Sequence, residues 1–194
     1  DMELLQFPDE RLRRVSEPVE NFDKELKLLS KEMLKIMYQS NGIGLAAPQV
    51  NKTIRMIVLD VSEKRNDPMI FVNPNLEKVE GSVDSSEGCL SVPEIRTTVQ
   101  RHKKIVLSAQ NIDGSEIKIE AHDLLSICVQ HEIDHLDGKL FIDYVPSVKL
   151  QRLRKKIAKE KGLPPAIIFQ ESSLLDMANH YPITIEEMSQ IQGV

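Results

Sequence analysis

Two histidines four residues apart flank a glutamate in His131-Glu-Ile-Asp-His135. On a helix, residues i and i+4 sit one turn apart on the same face. Two imidazoles so placed can grip one metal ion, and Glu132 beside them can act on a bound water. A chance pattern on a solvated helix face would need no partners. Here the flanking residues are apolar, so the helix is expected inside the fold, where imidazoles and a carboxylate need partners. The metal reading is therefore preferred.

A catalytic metal usually takes three protein ligands and a water. Cys89, Cys128 and other His or acidic residues are candidates for the third. Cys128 lies on the same helix face, but its Cα is about 10.5 Å along the axis from that of His135 at 1.5 Å per residue. Its short side chain tilts toward the helix N-terminus, away from the pair. Core packing suits it better. Cys89 sits in Glu87-Gly-Cys-Leu-Ser91, where a glycine beside the thiol lets the chain come close to a helix. A free cysteine is commonly a buried small hydrophobe, yet with the histidine pair present Cys89 is favoured as a ligand. A thiolate and two neutral imidazoles leave the fourth position for water. Amide cleavage also needs donors for an oxyanion. The side-chain amide of Gln49 and the backbone N–H of Leu90 are available, although Gln49 alone would read as an ordinary loop residue.

Several elements must position these groups. Apolar residues Leu26, Leu29, Met33, Ile36 and Met37 recur at helical spacing over Asp23–Ser40, with Asp23 as N-cap and Gly42 as stop. Gly42–Gln49 looks too small and glycine-rich for a regular core element. Arg55–Val61 and Met69–Asn73 read as strands, the second bounded by Pro68 and Pro74. Ile95–Val99, Lys104–Gln110 and Glu116–Glu120 read as further strands, with a hairpin turn at Asn111–Ser115. Asp123–Leu136 is apolar around much of its circumference, which predicts a deep helix ended by Gly138. The fold class expected is α+β, with mostly antiparallel sheets around a central metal-binding helix. Lys149–Lys161 holds seven basic residues against one acid, Glu160, before Gly162-Leu-Pro-Pro165 breaks the helix. Two short helices are expected at Ser173–His180 and Ile185–Ile191.

The chain of 194 residues is long enough for one domain with a core and a short appendage. Aromatics are 4%, with no Trp, which disfavours a base-stacking surface. The net charge of −5 disfavours a whole-domain polyanion binder. Two cysteines make no disulfide framework, nothing at the start reads as a secretory signal, and no apolar run is long enough for a membrane helix. A cytoplasmic location follows as the expectation, with no membrane association and no direct DNA binding.

Gly42-Ile-Gly-Leu-Ala-Ala-Pro-Gln49, Glu87-Gly-Cys-Leu-Ser91 and Gln130-His-Glu-Ile-Asp-His135, in this order and spacing, resemble the peptide deformylase signature. Phe7-Pro-Asp-Glu-Arg-Leu12 also looks like that family, and the resemblance extends over about Leu4 to Lys161. It implies a catalytic domain over 1–161 that removes the formyl group from the N-terminal methionine of new polypeptides. By the same resemblance Cys89, His131 and His135 hold the metal, Glu132 is the general base and then acid, and Gln49 and Leu90 form the oxyanion hole. The backbones at Ile43–Gly44 and Gly88 would pair with the substrate. Ile43, Leu124, Ile127, Cys128 and His131 would line the methionine pocket, and Glu87 would pair with Arg101. The metal implied is Fe²⁺ in the cell, with Zn²⁺, Ni²⁺ or Co²⁺ able to replace it. Helix 149–161 resembles the family's ribosome-docking helix; a merely solvated charged face is the plain alternative. The tail 162–194 departs from that family and looks like part of an HRDC domain of RecQ-type helicases. It is read as an extension without assigned role. Two rivals remain. A zincin-like metalloprotease would need another ligand downstream, where His180 is the only histidine. A closed structural metal site would need a fourth protein ligand and gives Glu132 no task.

Overall fold

A computed structural model describes residues 2–165 and 168. The chain divides into two compact units, Asp1–Tyr144 and Val145–Val194. The short helices expected at 173–180 and 185–191 lie outside the described residues.

In the first unit a 3-10 turn at Glu10–Arg13 precedes helix α1, Lys24–Gln39. Asp23 caps it by accepting the Leu26 N–H at 2.9 Å, which satisfies one of the donors a helix start leaves free. The turn that ends it differs from expectation. The left-handed residue is Asn41 at φ 54°, a conformation asparagine tolerates, and Gly42 follows with its N–H on Met37 O.

Strands β1 (Gly44–Ala46), β2 (Met56–Leu59), β3 (Met69–Glu80), β6 (Lys104–Gln110) and β7 (Glu116–His122) form one antiparallel sheet in the order β1-β2-β3-β6-β7. Strands β4 (Val83–Cys89) and β5 (Val92–Arg101) form a separate two-stranded sheet. Two expectations are corrected. Gly42–Gln49 contains strand β1 and most of a 3-10 turn at Ala47–Val50. Strand β3 continues through Pro74, because its register shifts between Val72 and Asn75, with Asn73 at φ 52°. A bulge is where a strand tolerates a proline.

Helix α2, Asp123–Leu136, keeps its expected bounds. Its Cys128, Val129, Ile133 and Leu136 pack on Ile57, Leu59, Phe71, Ile105 and Leu107 of the large sheet. Met33 and Met37 of α1 pack with Leu45, Met56, Val58 and Val72. Alternate side chains of β2 thus join different cores, so all four of its residues are buried. Each such side chain contributes roughly 1.5–3 kcal/mol. Gly138 ends α2 at φ 71°, where a Cβ would lie 2.3 Å from Arg13 O, so only glycine fits. In the second unit helix α3, Ser147–Lys161, ends at Gly162 with φ 64°.

Candidate active site

Helix α2 carries His131, Glu132 and His135 toward β4, which delivers Cys89. The metal-binding atoms of Cys89, His131 and His135 all lie within 4.8 Å of one another. Cys89 Sγ is 3.3 Å from His135 Nε2. Among the described residues this is the one His/Cys/Asp/Glu group that could hold an ion. Cys128 is not in it. That side chain is buried and packs in the core, and burial pushes its thiol well up.

His131 Nδ1 sits 2.9 Å from Glu87 Oε2, which leaves Nε2 for a metal. Glu87 in turn accepts from Arg101 Nε at 2.7 Å and Nη2 at 2.9 Å. Burial alone would raise the Glu87 carboxyl, but Arg101 and His131 outweigh it and hold it low. Arg101 also donates to Asp134 at 2.6 Å and stacks on the Tyr144 ring at 5.1 Å. The motif reading did not single out Asp134 or Tyr144. Asp134 sits three residues after His131 on the same helix face, a spacing that could have drawn attention to it. Tyr144 left no such signal.

The donor set suits a borderline-soft divalent ion, one thiolate and two imidazoles. Burial lowers the His135 imidazole and keeps it neutral, as a ligand must be. Burial would lower His131 too, but Cys89 and Glu87 overcome it and push that ring well up, so the site favours positive charge between these groups. Glu132 is buried, its Oε2 has no hydrogen-bond partner, and burial pushes its carboxyl up to about 7. An orphaned carboxylate oxygen calls for a polar guest.

Gln49, from the 3-10 turn, is oriented from behind. Its Oε1 accepts the Ala46 N–H at 2.8 Å, so its NH₂ group points toward Ser91 Oγ at 3.0 Å and Cys89 Sγ at 3.7 Å. A cavity of about 670 Å³ opens here. It is lined by Ile43, Gly44, Gln49, Gly88, Leu90, Leu124, Ile127, Cys128, His131 and Glu132, so the structure brings every residue expected at the substrate site together. Arg96, Val92 and Ile95 line it as well. The cavity lies between β1, an edge strand of the large sheet, and β4, an edge of the small one. Gly44 is there for space. A Cβ on it would fall 2.4 Å from Glu132 Oε1 and 2.9 Å from Cys128 Sγ.

The polypeptide deformylase family model matches residues 2–151. This chain belongs to that family. A peptide deformylase from Pseudoalteromonas translucida is 50% identical over 159 residues, 82% of this chain and 95% of its own. One from Hamiltonella defensa is 47% identical over 158 residues, 81% of this chain and 92% of its own. The crystal structure of a peptide deformylase from Legionella pneumophila matches with a TM-score of 0.77 at 40% identity, covering 82% of this chain and 95% of that one. The deformylase fold is thus the α+β arrangement described above. The chain is a metal-dependent hydrolase that removes the N-formyl group from nascent polypeptides. An HRDC domain model matches residues 148–194. That range starts inside α3 and ends largely outside the described residues. No helix among the described residues is long and apolar enough to cross a membrane.

Proposed function

We propose that Cys89, His131 and His135 hold one divalent ion and that Glu132 moves the protons of deformylation. The observation that carries this is the buried, unpartnered Glu132 carboxylate lining a cavity beside the Cys89–His131–His135 cluster. When bound, the ion supplies Lewis acidity, which polarises a carbonyl and makes water a stronger acid. Glu132 accepts a proton from the attacking water as its oxygen bonds to the formyl carbon. The C–N bond then breaks, Glu132 returns the proton to the departing amine, and formate leaves. Gln49 Nε2 and the Leu90 N–H donate to the carbonyl oxygen as it gains charge. Glu87, held by Arg101, orients the His131 ring.

The backbones of Gly44 and Gly88 take the substrate as an added strand, the way open sheet edges capture extended peptides. Ile43, Leu124, Ile127 and Cys128 give the methionine side chain an apolar wall, with His131 beside them. All these residues lie in the first unit, inside the proposed catalytic domain 1–161; residues 162–194 remain an extension without assigned role. Fe²⁺ is the proposed ion in the cell, with Zn²⁺, Ni²⁺ or Co²⁺ able to replace it. Ferrous iron beside a thiolate suits a reducing cytoplasm. Helix α3, with its seven basic residues, is the proposed ribosome contact.

Glu132→Ala tests the reading. General acid–base catalysis contributes about 10²–10⁴-fold, so turnover should fall by that order while bound metal and fold persist. Loss of metal or of fold with turnover would give Glu132 a structural role instead.

A further inference from the structure

Residues 60–68 join β2 to β3, yet their side chains tie them to the loop that leads into β1. Asp60 is fully buried, and its N–H donates to Ile43 O at 2.8 Å. Its carboxylate accepts the Ser62 N–H at 2.9 Å, the Ser62 hydroxyl at 2.6 Å, the Asp67 N–H at 3.2 Å and the Tyr38 hydroxyl at 2.6 Å. These bonds close 60–67 into a turn in which Arg65 adopts φ 56°. A left-handed backbone is rare for a long side chain, and here it sends the guanidinium back over α1. Arg65 lies above the Tyr38 ring at 5.2 Å, and its Nη2 donates to the Gly42 carbonyl.

The consequence falls on the substrate edge. The carbonyls of Gly42 and Ile43 are both committed, one to Arg65 and one to Asp60. In an antiparallel strand successive residues point their N–H and C=O groups to opposite edges. With Ile43 turned toward β2, the polar groups of Gly44 face the open edge. Gly42 also touches the other side of the site: a Cβ on it would fall 2.6 Å from Leu90 Cδ1. A shift at Gly42 would thus be felt both at the pairing edge and at Leu90.

We propose that Arg65 is a positioning residue for extended peptide substrates: by holding the Gly42 carbonyl from a turn anchored on Asp60 and Tyr38, it fixes the edge of β1 at the register a substrate strand pairs with. The proposal rests on the reading that β1 pairs with the substrate. Arg65 touches no reacting atom, so its effect depends on how much of the substrate uses that edge.

The test compares zinc-loaded full-length protein with Arg65→Met, which keeps the stem and removes the donors, and with Arg65→Lys. Each is assayed on formyl-Met and on formyl-Met-Ala-Ser. Losing one charge-assisted hydrogen bond should lower kcat/KM on the tripeptide about tenfold, mainly through KM, and on formyl-Met by less than about threefold, with Arg65→Lys restoring much of the difference. Amide exchange supplies a readout apart from activity: the Asp60 N–H, which ties β2 to Ile43, should exchange at least about fivefold faster in Arg65→Met, with β6–β7 amides unchanged. Equal losses on both substrates, no loss on either, or unchanged Asp60 exchange would each overturn the proposal. If the unmodified protein turned over no formyl peptide, the deformylase reading would fail, and the exchange experiment would still judge the clamp.

Discussion

Gly44→Ala is the sharpest perturbation of the site that removes none of its reactive groups. The added Cβ would lie 2.4 Å from Glu132 Oε1 and 2.9 Å from both Glu132 Cδ and Cys128 Sγ. Ordinary contact between such atoms begins near about 3.4 Å, so the carboxylate must retreat by about 1 Å and the sulfur by about half as much. The two effects separate. Glu132 Oε1 is the end of a flexible side chain, so the fold can yield, and overpacking of this kind costs about 1–3 kcal/mol. A catalytic group displaced by about 1 Å costs on the order of 10²-fold in rate. The expected outcome is a folded, metal-replete protein with a modestly lower melting temperature and kcat reduced by about a hundredfold on formyl-Met-Ala-Ser. Thermal unfolding, metal analysis and steady-state kinetics on one preparation would decide it. A variant with kcat within about threefold of the unmodified protein would refute the claim that Gly44 leaves space for the proton-moving carboxylate.

Cys89→Ser should lose metal affinity, whereas Cys128→Ala should retain a full complement of metal while lost packing lowers stability by about 1–2 kcal/mol; metal titration of both variants checks the assignment. Burial would raise the Asp60 carboxyl, but hydrogen bonds from Ser62, Tyr38 and Asp67 outweigh it and hold it down to about 2. Because that folded value lies below the ordinary one, the stability it contributes is present above about pH 4 and is lost as pH falls through about 2. The stability gap between the unmodified protein and Asp60→Asn should therefore narrow over that window in acid unfolding experiments. Neutralising Arg152, Arg154 and Lys155 should weaken ribosome binding and leave peptide turnover unchanged; unchanged affinity in a sedimentation assay would remove α3 as the contact.

Helix α2 was legible in the sequence because its apolar residues wrap it and its polar ones carry the metal motif, and the β6–β7 hairpin because Asp113-Gly114 marks the turn. The sequence marks only the first part of strand β3, because Pro74 ordinarily ends a ladder and the bulge that accommodates it leaves no residue pattern of its own. Strand β1 was hidden for a reason tied to function. It is three residues long, Gly44-Leu-Ala46, and Glu132 and Cys128 press against Gly44, so a side chain there has no room and the strand shows neither alternation nor β-branched residues. Strand β4 is an edge of a two-stranded sheet with a largely polar face, and Val83-Asp-Ser-Ser-Glu-Gly-Cys89 reads as a loop. The ligands and Glu132 stood out because their spacing is local, or because three short motifs occur together. Around Arg101 the family resemblance points to the Glu87 pairing, whereas Asp134 and Tyr144 leave no such signal, since they meet it across long stretches of chain.

The most direct test of the central claim is formate release from a formyl-Met peptide by protein purified without oxygen and supplied with Fe²⁺ or Ni²⁺, with an acetyl-Met peptide as control. Rapid release from the formyl substrate alone is the predicted result. A folded protein with one ion bound that releases no formate, or that cleaves the acetyl peptide equally well, would contradict the account.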